Sequence, residues 1–75
     1  MNGPASFLFE GRTLNTFHVT DGWRNQRTGS ERPISTHADR QAAIDEAAAI
    51  AAREGVDHIV YSRGGSVHHR TRWML

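Results

Sequence analysis

Five histidines in 75 residues, His18, His37, His58, His68 and His69, are the first side chains that suggest chemistry, and the chemistry is metal binding. A zinc site needs ligands converging on one point, commonly from i,i+2 on a strand or i,i+3/i+4 on a helix. His68 and His69 are adjacent in a strand-like run, so they point to opposite faces. His58 and His69 share a face only as diagonal neighbours among apolar residues. The chain has no cysteine, which removes disulfides and thiolate ligands. No metal and no cofactor is implied. Catalytic residues are not implied either. There is no Gly-x-Ser-x-Gly elbow and no glycine-rich phosphate loop before a helix. Asp45 and Glu46 fall next to each other on the solvated side of a helix. A chain this short also struggles to enclose a pocket of several hundred cubic ångströms unless it dimerises. The expectation is a binding protein that is not an enzyme.

The arginines carry a more positive signal. All nine basic residues are Arg, and the net charge of +1 hides an acidic middle and a basic end. Residues 38–57 hold two Arg and five acids, whereas residues 58–75 hold three Arg and no acid. Within "YSRGGSVHHRTRWML", Arg63, Arg70 and Arg72 would line one face of a hairpin with Tyr61 and His68. Arginine meets phosphates while an aromatic ring stacks on a base, so DNA or RNA is the first expected partner. Asp57, across from Arg72, is expected to neutralise part of that charge. The same strand pair supports a second expectation, a protein interface through Phe7, Phe9, Ile59 and Tyr61. It would join two copies or, as in a phage-type inhibitor, occupy a host protein. A 75-residue chain without staples makes a homodimer as much to be expected as a monomer.

These residues must be positioned by one small domain. Residues 1–13, which include Gly3 and Pro4, are expected to be a tail or arm, and residues 14–75 a compact fold. "NTFHVTDGWRNQRT" is a hairpin signal. A two-residue Asp21-Gly22 turn would put Trp23 away from Phe17 and Val19. A three-residue Thr20-Asp21-Gly22 loop gathers all three on one face and is the expected register. "GSERP" is the next turn, and "ISTHA" has room for a short strand. "DRQAAIDEAAAIAAREG" predicts a helix with Ala43, Ile44, Ala47, Ala48, Ile50 and Ala51 on its buried side. Asp39 suits its N-cap and Gly55 its left-handed stop, with Thr36 as an alternative start. A last hairpin is expected around a two-residue Gly64-Gly65 turn, pairing Ser62 with Val67 and Tyr61 with His68. It would turn Val67, His69 and Trp73 in under the helix, and Tyr61, Arg63, His68, Arg70 and Arg72 outward. The fold class is α+β: an antiparallel sheet of four to five strands with one alanine-rich helix on one face, in the order β-β-(β)-α-β-β.

"HVTDGW" at 18–23, "AAIDEAAAIAAREG" at 42–55 and "HIVYSRGGSVHHR" at 58–70 resemble the small bacterial and phage proteins grouped as domain of unknown function 2188. The resemblance runs from His18 to about Trp73. This chain has Asp39 where that pattern usually has Thr, Gly64-Gly65 in place of Asp-Gly, and Trp73-Met74 in place of a final Tyr-Gly. The resemblance implies a compact α+β module and brings no activity, substrate or catalytic residues. No membrane association is expected, because the longest apolar run, Ala47–Ala52, is far short of the roughly 20 residues that span a bilayer. The N-terminus lacks a basic region followed by a long apolar stretch, so a cytoplasmic protein is expected.

Overall fold

A computed structural model describes residues 13–72. Its elements are β1 (Thr13–Val19), β2 (Gly22–Arg27), β3 (Pro33–His37), α1 (Arg40–Glu54), β4 (Asp57–Tyr61) and β5 (Val67–Thr71). The five strands form one sheet in the order β3-β2-β1-β4-β5. Neighbours pair antiparallel except the central β1 and β4, which run parallel. That one parallel pair follows from connectivity. The chain leaves β3 at one edge, crosses the sheet as α1 and returns beside β1, a connection that needs a crossover and not a hairpin.

The helix forms where local signals agree. The Asp39 carboxylate accepts from the Ala42 N–H at 2.9 Å, and Gly55 closes the last turn at φ 72° with its N–H on the Ala51 carbonyl. Ala43, Ala47 and Ala51 recur every four residues and are fully buried, while Ile44, Ala48 and Ile50 are half-buried. A stripe of methyl groups lets the helix lie close on the sheet. Leu14, Trp23, Val56 and Val60 fill the space beneath it.

Both hairpin registers differ from the sequence expectation. In the first, the turn is Thr20-Asp21 and Val19 pairs with Gly22, so His18 and not Val19 faces Trp23. Trp23 is buried against the helix side with Leu14 and Thr16, and Phe17 and Val19 occupy the opposite face. Gly22 explains the shift. It is required not in the turn but at the start of β2, where the His37 carbonyl approaches so closely that no side chain fits.

In the second hairpin the loop has three residues, Arg63-Gly64-Gly65. The Ser62 N–H bonds the Ser66 carbonyl at 2.7 Å and Gly65 sits at φ 97°. Glycine in the third loop position is what such a loop asks for. Tyr61 therefore pairs with Val67, not with His68. An irregularity at Val60/Tyr61 then leaves His68 as an extra residue in β5 and restores the expected pairs Val60–His69, Ile59–Arg70 and His58–Thr71. Two one-residue shifts cancel along β5. Their lasting effect is on Val67, which is 59% exposed and not under the helix. His69 is also exposed, because α1 packs over β1 to β4 and β5 lies beyond its reach.

Candidate functional site

The face of the sheet away from α1 is built from outward residues in two rows. One row crosses the strands as Arg24 (β2), Phe17 (β1), Tyr61 (β4) and Val67 (β5). Arg24 pairs with Phe17 and Tyr61 with Val67, and Phe17 lies beside Tyr61 one step past the last β1–β4 pair. The second row is Gln26, Asn15, Ile59 and Arg70. Over these rows lies an open groove of about 470 Å³, floored by Asn15, Phe17, Gln26 and Tyr61. Thr28–Ser30 flank it at one end and Ser62–Gly65 at the other. The two loops stand at opposite ends because β2 leaves the sheet where β1 begins, and β4 leaves where β1 ends.

The floor is held in place. Asn15 donates through Nδ2 to the Thr28 Oγ1 at 2.9 Å and the Gln26 carbonyl at 3.3 Å. Its Oδ1 accepts from the Tyr61 hydroxyl at 3.3 Å, which fixes the phenol ring across the groove. Gln26 Nε2 donates to the Ser30 carbonyl at 2.5 Å. Arg27 also touches the groove, but it forms a bidentate pair with Glu54 at 2.8 and 2.9 Å. That pairing holds the Glu54 carboxyl below the usual carboxylate range.

The five residues expected on one outward surface are not equivalent. Tyr61 lies in the groove and Arg63 on its rim. Arg70 faces outward but is 3.4 Å from the buried Asp57 carboxylate, so Asp57 answers Arg70 and not Arg72. Arg72 follows β5 and is exposed, and His68 is the exposed extra residue of β5. Of the second set, Ile59 is half-buried in the outward row, while Phe7 and Phe9 lie outside the described residues, as does Trp73. Sequence reasoning missed Phe17, Asn15 and Gln26. The parity of the first hairpin was the signal, because one residue of register decides whether Phe17 faces the helix or the groove.

The other face holds polar residues where an apolar core was expected. Thr16 and Asn25 are fully buried and His58 nearly so. The Thr16 hydroxyl donates to Asn25 Oδ1 at 2.6 Å and lies 2.8 Å from His58 Nε2. With its single proton given to Asn25, Thr16 can only accept from His58, so Nε2 carries the imidazole proton. Asn25 Nδ2 donates to the Ala43 carbonyl at 2.9 Å and reaches Ser35 Oγ and Glu46 Oε1, both at 3.3 Å. Glu46 also accepts from Ser35 and from His37 Nε2, the latter at 2.9 Å. Glu46 is thus not a free solvated carboxylate but the end of a network that ties α1 to β2 and β3. Ser35 and His37 meet the carboxylate and not each other, so the cluster lacks the hydroxyl–imidazole contact that activates a nucleophile. Beyond it, Arg40 lies 5.3 Å from the Trp23 ring centre and His18 meets that ring edge-on. Among the described residues, no group of three or more His, Asp or Glu is placed to hold a metal ion.

This network makes stability fall with acid in two windows. Burial, with a smaller contribution from His69, pushes the His58 pKa below 6.5. The unfolded chain therefore binds a proton near pH 6.5 that the folded chain refuses, and stability drops as pH falls below that value. Hydrogen bonds from Ser35, then His37, hold the Glu46 carboxyl below 4.5, so a second loss begins below that pH. The urea midpoint should be flat near neutral pH and then descend in these two steps. His58→Gln, which keeps a donor for Thr16, should abolish the first step only. An unchanged first step in that variant would show that another group titrates there.

A five-stranded sheet with one helix on one face and an open groove on the other defines a small α+β module. The family described as "Uncharacterized protein conserved in bacteria (DUF2188)" matches residues 16–72, and the chain belongs to it. No curated protein and no solved structure matches the chain. No described helix is long and apolar enough to cross a membrane.

Proposed function

We propose that this protein is a non-catalytic binding module that takes single-stranded nucleic acid across the open face of its sheet. The observation that carries the reading is the placement of Phe17 and Tyr61 side by side on the neighbouring interior strands β1 and β4, in a groove rimmed by Arg63. Every base has a flat face to stack, and single strands are held by aromatic platforms beside arginines that meet the phosphates. Charge supports it. Arg24, Arg63, Arg70 and Arg72 lie on or beside the sheet face with Asp57 among them, Asp39, Asp45, Glu46 and Glu54 cap or line the helix, and Asp21 and Glu31 sit in loops at the sheet ends.

Anisotropy of labelled oligothymidylate and oligouridylate of roughly ten nucleotides tests the reading and separates DNA from RNA. Phe17→Ala and Tyr61→Ala should each weaken binding by about 1–3 kcal/mol, the worth of one stacked base. No binding of either probe at low salt would overturn the proposal. The exposed Val67 beside Tyr61 favours a second reading, a protein interface that covers the same row. Its dimeric form is tested by sedimentation with and without residues 1–12, and a monomer in both removes it.

A further inference from the structure

We propose that Arg24 is the second phosphate contact of this surface, so that a bound strand runs across the sheet from β2 toward the β4–β5 loop. The inference rests on the single-strand reading above and adds a direction and a residue to it. Arg24 is the residue directly paired with Phe17, and so lies at the β2 end of the aromatic row. Arg63 lies two residues past Tyr61, on the loop that follows β4 and lines the groove. The two arginines therefore flank the rings diagonally, one beside Phe17 on β2 and one beyond Tyr61 at the end of β4.

Neither of them is used up by the fold. The ion pairs among the described residues that involve Arg are Arg27–Glu54 and Arg70–Asp57. Arg24 has only a long contact from Nε to Thr36 Oγ1, at 3.5 Å. That contact steadies the stem over β3 and leaves both terminal nitrogens without a protein acceptor among the described residues. A planar fork held at its inner nitrogen and open at its outer edge is suited to two phosphate oxygens. Strands lie about 4.8 Å apart, so Arg24 on β2 and Tyr61 on β4 are separated by roughly 10 Å along the row. That span leaves room for Phe17 and Tyr61 to stack bases between the flanking arginines.

The groove offers a different course, lengthwise along β1 toward the Thr28–Ser30 loop. Along that course, Arg27 is held by Glu54, and the next described arginine in the chain after the loop is the exposed Arg32. The two courses make opposite predictions. For single strands, each phosphate contact contributes about 0.7 to the slope of log affinity against log salt. Titrations of oligothymidylate and oligouridylate across a salt series should give a slope lower by about 0.7 in both Arg24→Gln and Arg63→Gln. Each substitution should weaken binding about eightfold at about 50 mM salt, the value that slope gives for one contact. Arg32→Gln should leave both quantities unchanged. A slope unaltered in Arg24→Gln, or a loss in Arg32→Gln instead, overturns the crosswise course while the single-strand reading stands. Failure of the unsubstituted protein to bind either probe removes the reading itself. Circular dichroism of Arg24→Gln confirms that the sheet is retained, since the side chain is partly exposed and replaced by another long polar one.

Discussion

Gly22→Ala should cost the domain about 2–6 kcal/mol, a large part of its stability. The first β-carbon would stand 2.2 Å from the His37 carbonyl oxygen, 3.0 Å from its carbon and 3.1 Å from the Ala38 Cα. All three are backbone atoms, so no side chain can swing away to make room. Gly22 is also at φ 147°, a region that residues with a β-carbon rarely enter. Strain of about 1–3 kcal/mol from the dihedral adds to roughly 1–3 kcal/mol of overlap. A domain of this length has about 4–11 kcal/mol of stability in all. The damage would also spread, because His37 and Ala38 lead directly into the Asp39 cap and the His37–Glu46 contact. Gly55→Ala is the matched control. Gly55 is left-handed too, at φ 72°, but nothing lies within 4 Å of the new carbon. It should lose about 1 kcal/mol, or about 4–8 °C in Tm. Urea titrations followed by tryptophan fluorescence separate the two, and equal losses would show that close approach at Gly22 is not what makes glycine necessary.

What could be read from the sequence was what neighbouring residues decide together. The helix, its Asp39 cap and its Gly55 stop depend on contacts within a few residues, and they appear where the pattern puts them. The order of elements and the α+β class follow from the same local signals. Registers were harder, because a one-residue choice in a loop exchanges the two faces of a strand. In "TDGW" the glycine answered to β3, a distant strand, and not to the turn it resembled. In "SRGGS" two adjacent glycines admitted loops of two or three residues, and the three-residue one sent Val67 outward.

Composition misled at the interior for a physical reason. In β1, the expected register groups the large apolar Phe17 and Val19 with Trp23 on one face, yet the face that Trp23 shares holds Leu14, Thr16 and His18. An alanine-striped helix close to the sheet leaves limited depth beneath it. Thr16 and Asn25 fit there once their polar atoms satisfy one another and the Ala43 carbonyl. The bulkier Phe17 is left for the open side, which is how a packing constraint on one face furnishes the platform on the other.

Asn25→Asp should destabilise the protein by about 2–4 kcal/mol at neutral pH, and acid should partly restore it. The substitution hardly changes shape, so no cavity contributes. It changes only what the Nδ2 position can do. A carboxylate oxygen there would face the Ala43 carbonyl, 2.9 Å from the present nitrogen, and Glu46 Oε1 at 3.3 Å. A donor meeting three acceptors, the third being Ser35 Oγ at 3.3 Å, becomes an acceptor placed among them in a fully buried position. Losing a buried hydrogen bond and leaving its partner unmatched costs about 1–3 kcal/mol, and a second negative charge beside Glu46 adds to it. Burial and that neighbour would raise the pKa of the new carboxyl above its unfolded value of about 3.9. The folded variant then binds more protons than the unfolded chain between those two values, so its deficit shrinks as pH falls through that range. The unsubstituted protein moves the other way, losing stability below pH 6.5 through His58. Asn25→Leu, which removes the same hydrogen bonds without adding a titratable group, should show a comparable loss at neutral pH and no recovery in acid. Urea midpoints measured from about pH 7.5 to 5 should therefore converge for Asn25→Asp and the parent while Asn25→Leu stays parallel to it. Parallel curves for all three would mean that the Asn25 amide does not donate into the Ala43–Glu46 corner.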